Sequence, residues 1–134
     1  MSKLPALIQF PKIGSPMEGY LSIGQSNLQI PFDIKRVFWT YFTPDSVTRG
    51  RHTHYETEMV LIALSGIVIV KTEDIFGNKE EFVLKNPSEG LYIPPLTWHE
   101  MEYSHTAVQL VITNSEYDEK DYIRSYDEFK KLQK

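Results

Sequence analysis

Cysteine is absent from the chain, which excludes a disulfide framework, a thiolate nucleophile and any cysteine-bound metal. Proton chemistry and metal ligation are left to His, Asp, Glu and Tyr, and the absence fits a cytoplasmic protein. Also missing is any run of roughly 18 apolar residues. Pro5 and Pro11 interrupt the mildly apolar N-terminus, so neither a membrane-spanning helix nor a secretory signal is expected. Positive charge is not in excess either: 14 Lys and Arg stand against 18 Asp and Glu, a net charge of −4. That balance removes the general attraction by which nucleic-acid binders hold phosphate, so an anionic ligand needs a local basic pocket. With 134 residues the chain suffices for one domain around a single core, and we read residues 1–134 as one.

What the chain does contain is β-forming sequence. Lys35 to Phe42 (KRVFWTYF) and Met59 to Val70 (MVLIALSGIVIV) are rich in β-branched and aromatic residues, and Ser65-Gly66 predicts that the second is two short strands joined by a turn. Further strands are expected at Lys79 to Leu84, Gly90 to Ile93, Glu100 to Tyr103 and Ala107 to Thr113. Turn formers punctuate them at Thr43-Pro44-Asp45, Gly77-Asn78, Asn86 to Gly90 and Pro94-Pro95, the pattern of an all-β sandwich or barrel. From Ser115 onward the character changes. Acids come early and lysines late, with Tyr122, Ile123, Tyr126 and Phe129 three or four apart or adjacent, which predicts one or two short amphipathic helices over 115–134.

Two constellations carry chemistry. In Gly50-Arg51-His52-Thr53-His54, the two histidines are two apart and share one face of a strand, with Glu58 as a third candidate. Paired imidazoles serve either to ligate a divalent metal or to move protons near neutral pH. Gly90 to His99 (GLYIPPLTWH) then brings a third histidine, His99, after a strand and a proline turn. If positions 50, 52 and 54 face a cavity, Arg51 faces away.

These residues resemble the two motifs of the cupins, whose fold is a jelly-roll barrel, the double-stranded β-helix. Gly50, His52, His54, Glu58 and Gly66 match the first motif; in the second, Leu96 stands where a turn glycine is usual and Tyr103 where an asparagine is common. A closer resemblance spans nearly the whole chain. Pro31 to Val37, Arg49 to His54, Gly90 to Pro95 with Trp98 to Met101, and Tyr117 to Glu119 with Asp121 to Arg124 are together similar to the sugar nucleotide 3,4-ketoisomerases. Departures fall at Phe38 and Trp39, where that family usually has tyrosines, at Arg51 and Thr53, and at Glu18.

The resemblance implies an isomerase with no metal or organic cofactor, which moves the ketone of dTDP-4-keto-6-deoxy-D-glucose from C4 to C3. The reaction needs a base that becomes an acid moments later, and histidine serves both halves. His52 and His54 are expected as the base and relay pair, Tyr41 as a phenol that polarises the ketone, and His99 as an orienting contact. Arg49 and Arg36 are the expected diphosphate partners, since a guanidinium fork matches phosphate oxygens. Trp98 and Tyr92 are candidates either to stack on thymine or to pack in the core. The resemblance also implies a homodimer that exchanges its N-terminal strands, within residues 1–30. Two other readings stand beside it. One is a metal-dependent cupin enzyme using His52, His54, Glu58 and His99; the other is a sugar-nucleotide binder without turnover.

Overall fold

The structure, a computed structural model, describes residues 3–134. Its strands are β1 (Ala6–Gln9), β2 (Ile13–Ser15), β3 (Gly19–Leu21), β4 (Arg36–Tyr41), β5 (Arg49–His54), β6 (Met59–Ser65), β7 (Val68–Glu73), β8 (Lys79–Leu84), β9 (Glu89–Ile93), β10 (Trp98–Tyr103), β11 (Val108–Thr113) and β12 (Tyr122–Ile123), followed by helix α1 (Tyr126–Leu132). The strands form two five-stranded sheets, β1-β9-β6-β11-β4 and β12-β5-β10-β7-β8, with β2 and β3 as a separate hairpin. Every expected strand is present. The apolar run from Met59 is indeed split, and Gly66 at the turn has φ +70 and leaves no room for a side chain, since a Cβ there would lie 2.6 Å from Ala107 Cα.

Alternation along the strands builds the core. Met59, Leu61, Ala63, Leu91, Ile93 and Val111 of the first sheet meet Val68, Val70, Leu84, Met101 and Tyr103 of the second, the inward face of each strand pleat. The opposite side of the first sheet is also apolar. Val60, Ile62, Tyr92 and Ile112 there are covered by Phe10, Ile30 and Phe32 of the N-terminal segment, which is why β6 reads as continuously hydrophobic. One end of the outer face of the second sheet is covered by α1, through Phe129 against Ile75, Trp98 and Ile123.

The tail departs from the expected helices at Tyr122 and Ile123. These two residues pair with His54 and Thr53 of β5 as a strand, because the free edge of β5 offers backbone partners that a two-residue helical turn lacks. Helix formation resumes only at Ser125, whose side chain accepts from Glu128 N and caps α1.

Candidate active site

The HxH strand is brought to its work by a bulge. His52 lies opposite His99, yet Gly50 pairs with Glu100 and Arg49 with Met101, so the register shifts by one residue. Gly50 at φ 83 and Arg51 at φ 59 absorb the extra residue. Directly opposed residues share a face, so Arg49 points the same way as Met101, His99 and His52. The simple alternation expected from 50, 52 and 54 is therefore corrected: Arg49, not Gly50, stands on the cavity face. Gly50 is required here, since a Cβ would sit 2.9 Å from the His99 carbonyl oxygen.

Three histidines converge. The ring centroids of His52 and His54 are 5.1 Å apart, those of His52 and His99 4.7 Å, and those of His54 and His99 5.9 Å. His52 Nδ1 lies 3.1 Å from the Gly50 carbonyl and His99 Nδ1 3.0 Å from that of Thr97. A carbonyl only accepts, so both Nδ1 atoms carry the proton and both Nε2 atoms are bare in the neutral rings. The Nε2 atoms of His54 and His99 are buried without a hydrogen-bond partner among the described residues. The Pro-Pro turn is tied to this strand, because Leu96 donates its N–H to the His54 carbonyl at 2.8 Å. Leu96 does so at φ 58, the conformation that explains the glycine usual at that place in cupins.

Burial keeps these rings neutral. Desolvation lowers His54 to about 3, helped by the charges of His52, Arg36 and Arg124. His52 is lowered as well, by burial first, with Arg124 lowering and Glu119 raising it; His99, 0 % exposed, falls well below the ordinary 6.5. In the unfolded chain all three would take a proton near 6.5. Between that value and about 3 for His54 the unfolded state binds more protons, so stability falls as the pH drops through the window and levels off above it. Unfolding free energies from urea titrations should be level above pH 7 and decline from pH 6.5 to pH 5, by about 1 kcal/mol per pH unit for each histidine that stays neutral. Part of that slope should vanish in His54→Asn; a midpoint indifferent to acid would refute it.

Arg36 also faces this cavity. Its Nε donates to Thr113 Oγ1 at 3.3 Å, and its guanidinium lies 5.4 Å from the Phe38 ring and 5.6 Å from that of Tyr117. Deeper in, Tyr103 Oη donates to Gln109 Oε1 at 2.7 Å, and burial pushes the phenol up to about 12. The other expected residues lie elsewhere. Tyr41 pairs with Val108 on the outward face of β4 and is 55 % exposed, so the strand's alternation turns it away from the histidines. Trp98, next to His99 and hence on the opposite face, packs against Tyr126 and Phe129. Tyr92 faces the covered outer side of the first sheet, where its hydroxyl donates to Glu58.

Glu58 is correspondingly engaged away from the histidines: Asn114 Nδ2 donates to it at 2.9 Å and Lys3 Nζ lies 3.3 Å away. A four-ligand site including Glu58 is thus not assembled. Among the described residues, His52, His54 and His99 alone form a group that could hold a metal, their ligand atoms all within 4.8 Å of one another.

One contributor was absent from the sequence reading. The Tyr122 ring lies over both histidines of the pair, 4.4 Å from His54 and 5.1 Å from His52. Its strand is held by Asp121, whose carboxylate accepts from Glu56 N at 2.8 Å, Thr57 N at 3.1 Å and the Thr57 hydroxyl. The only signal in the sequence was the Asp121-Tyr122-Ile123-Arg124 run itself, whose helical spacing hid its strand geometry.

Comparison with known proteins accounts for this arrangement. Residues 3–134 match the family model described as FdtA: WxcM-like, C-terminal. The chain is 42 % identical over 127 residues to the TDP-4-oxo-6-deoxy-alpha-D-glucose-3,4-oxoisomerase of Aneurinibacillus thermoaerophilus, covering 93 % of this chain and 89 % of that protein. The crystal structure of a sugar 3,4-ketoisomerase from Thermoanaerobacterium thermosaccharolyticum in complex with TDP superposes with a TM-score of 0.92 at 38 % identity, over 99 % of this chain and 96 % of that one. A TDP-fucose-3,4-ketoisomerase from Campylobacter jejuni gives 0.89 at 34 % identity, over 97 % and 96 %. With its jelly-roll sheets, its HxH strand and this likeness along its whole described length, the chain belongs to the WxcM-like FdtA family of cupin-fold sugar nucleotide 3,4-ketoisomerases.

Proposed function

We propose that this chain moves the ketone of a TDP-linked 4-keto-6-deoxyhexose from C4 to C3, with His52 and His54 as the base and relay pair. The observation that carries this reading is the pair of adjacent, neutral imidazoles on one cavity wall, their ring centroids 5.1 Å apart, with Arg124 near both rings and Arg36 near His54. One imidazole takes the C3 proton, acidified by the neighbouring carbonyl, and the electrons left behind form the enediolate. Proton delivery to C4, with loss of the O3 proton and gain of one at O4, completes the isomerisation without net oxidation. His99, buried beneath the pair, is assigned the orienting role, and Arg36 and Arg49 meet the substrate's anionic and oxygen-rich parts. A divalent ion would be held by His52, His54 and His99, and would polarise the ketone. Relatives support the substrate: one was solved with TDP and, as a His-to-Asn variant, with TDP-4-keto-6-deoxyglucose. The test is proton NMR of the ketosugar in D₂O, where deuterium should enter at the exchanging carbons as the 3-keto product accumulates. Binding with no exchange would leave a sugar-nucleotide binder instead.

We also propose a homodimer, in which N-terminal strands are exchanged. Val37, Trp39, Tyr41 and Phe42 are exposed on and beside the outer face of β4, and the β2–β3 hairpin carries exposed Ile13, Met17, Tyr20 and Leu21. Exposed apolar side chains in such number on two parts of one chain are characteristic of an interface. Within the single chain, β1 pairs with β9, the position that a partner's strand would take. Light scattering should give twice the chain mass; a monomer independent of concentration would refute the dimer. Among the described residues no helix is long and apolar enough to cross a membrane, and we assign the enzyme to the cytoplasm.

A further inference from the structure

A second polar unit lies over the histidine pair. Arg124 forks onto Glu119, Nε to Oε1 at 2.6 Å and Nη2 to Oε2 at 3.0 Å, while Tyr117 Oη donates to Oε2 at 2.5 Å. The same guanidinium stacks 4.4 Å from the centroid of Tyr122, the ring that covers His52 and His54. Arg36, from the edge strand β4, lies over the ring of Tyr117, 5.6 Å from its centroid. Both members of the ion pair are about half exposed, so its contribution to stability is small. The strap is anchored without it, by Asp121 and by the pairing of β12 with β5. A fork that fits a carboxylate fits a phosphate equally well.

We propose that Glu119 is a built-in stand-in for the substrate's diphosphate: in the free enzyme it occupies Arg124, and in the complex Arg124, together with Arg36, releases it and grips the phosphate oxygens. The inference deepens the isomerase reading and rests on it. The spacing agrees, because Arg124 is one tyrosine ring away from the imidazoles and the diphosphate of a nucleotide sugar is one hexose ring away from C3 and C4.

Calorimetric titration of the full-length protein with TDP, at two salt concentrations, tests this. Arg124→Gln should weaken TDP by about tenfold or more and flatten the salt dependence, and Arg124→Lys should stay weak because an ammonium cannot fork. Glu119→Gln should tighten TDP several-fold, a gain that a merely structural ion pair would not give. If Glu119→Gln weakens TDP as Arg124→Gln does, or if neither substitution alters binding, the stand-in is wrong while the isomerase reading survives. Failure of the unaltered protein to bind TDP would sink both. Thermal melts of each variant establish that all are folded.

Discussion

His52→Asn and His54→Asn are each expected to lower the rate of ketone transfer by about 10²–10⁴-fold, with TDP binding retained. Asparagine preserves a polar side chain of similar breadth but neither accepts nor returns a proton at neutral pH, so the loss should fall on kcat rather than on KM. Deuterium incorporation separates the two roles. The variant lacking the base should show no exchange at C3, whereas the variant lacking the relay should still exchange C3 slowly while failing to accumulate 3-keto product. The neutral state of both rings in the free protein follows from burial first, with Arg124 near both and Arg36 near His54. Either variant turning over at the unaltered rate would remove that histidine from the mechanism.

Phe129→Ala should be the most damaging single change outside the site. The ring is 0 % exposed and packs on Ile75, Trp98 and Ile123, and truncating such a buried phenylalanine costs about 3–5 kcal/mol. Much of what holds α1 otherwise converges on Glu73, whose buried carboxylate receives Tyr126 Oη at 2.6 Å, Gln133 Nε2 at 2.6 Å and Lys130 Nζ at 3.0 Å. Burial opposes the Glu73 charge, but these donors prevail and hold it below the usual carboxylate range. Losing Phe129 therefore releases the helix before the sheets, and with it the strand that lays Tyr122 over His52 and His54. Hydrogen exchange should show residues 117–134 unprotected while β6 and β11 remain protected, with activity reduced in parallel. Protection and activity both unchanged would refute this coupling.

The strands were legible because their evidence is local: β-branched runs, alternation and turn formers at fixed offsets. So was the histidine pair, whose spacing of two puts both rings on one face whatever the rest of the chain does. Three things were not legible, each for a physical reason. The bulge at Gly50-Arg51 depends on the pairing with β10, so only the register reveals that Arg49 looks inward. Tyr41 and Trp98 have the composition of ligand-stacking aromatics, but the face they occupy is decided by neighbours far along the chain. Tyr122 and Ile123 keep a helical spacing, yet the exposed edge of β5 captures them. The departures at Phe38 and Trp39 resolve in the same way: Phe38 lies opposite Val111 on the core side, while Trp39 is 59 % exposed on the outer face. Only the first can touch a substrate in this cavity.

The roof over the histidines has a consequence for the order of events at birth. Strands β4 to β11 leave the ribosome before residues 122–129, and domains fold as they emerge. The sheets can pack while residues 122–129 are still sheltered in the exit tunnel, at which stage the imidazoles have their wall but neither Tyr122 nor Arg124 above them. The nascent sheets can thus pack before the site between them is roofed, and the docking of residues 122–129 on the edge of β5 turns a formed core into a closed site.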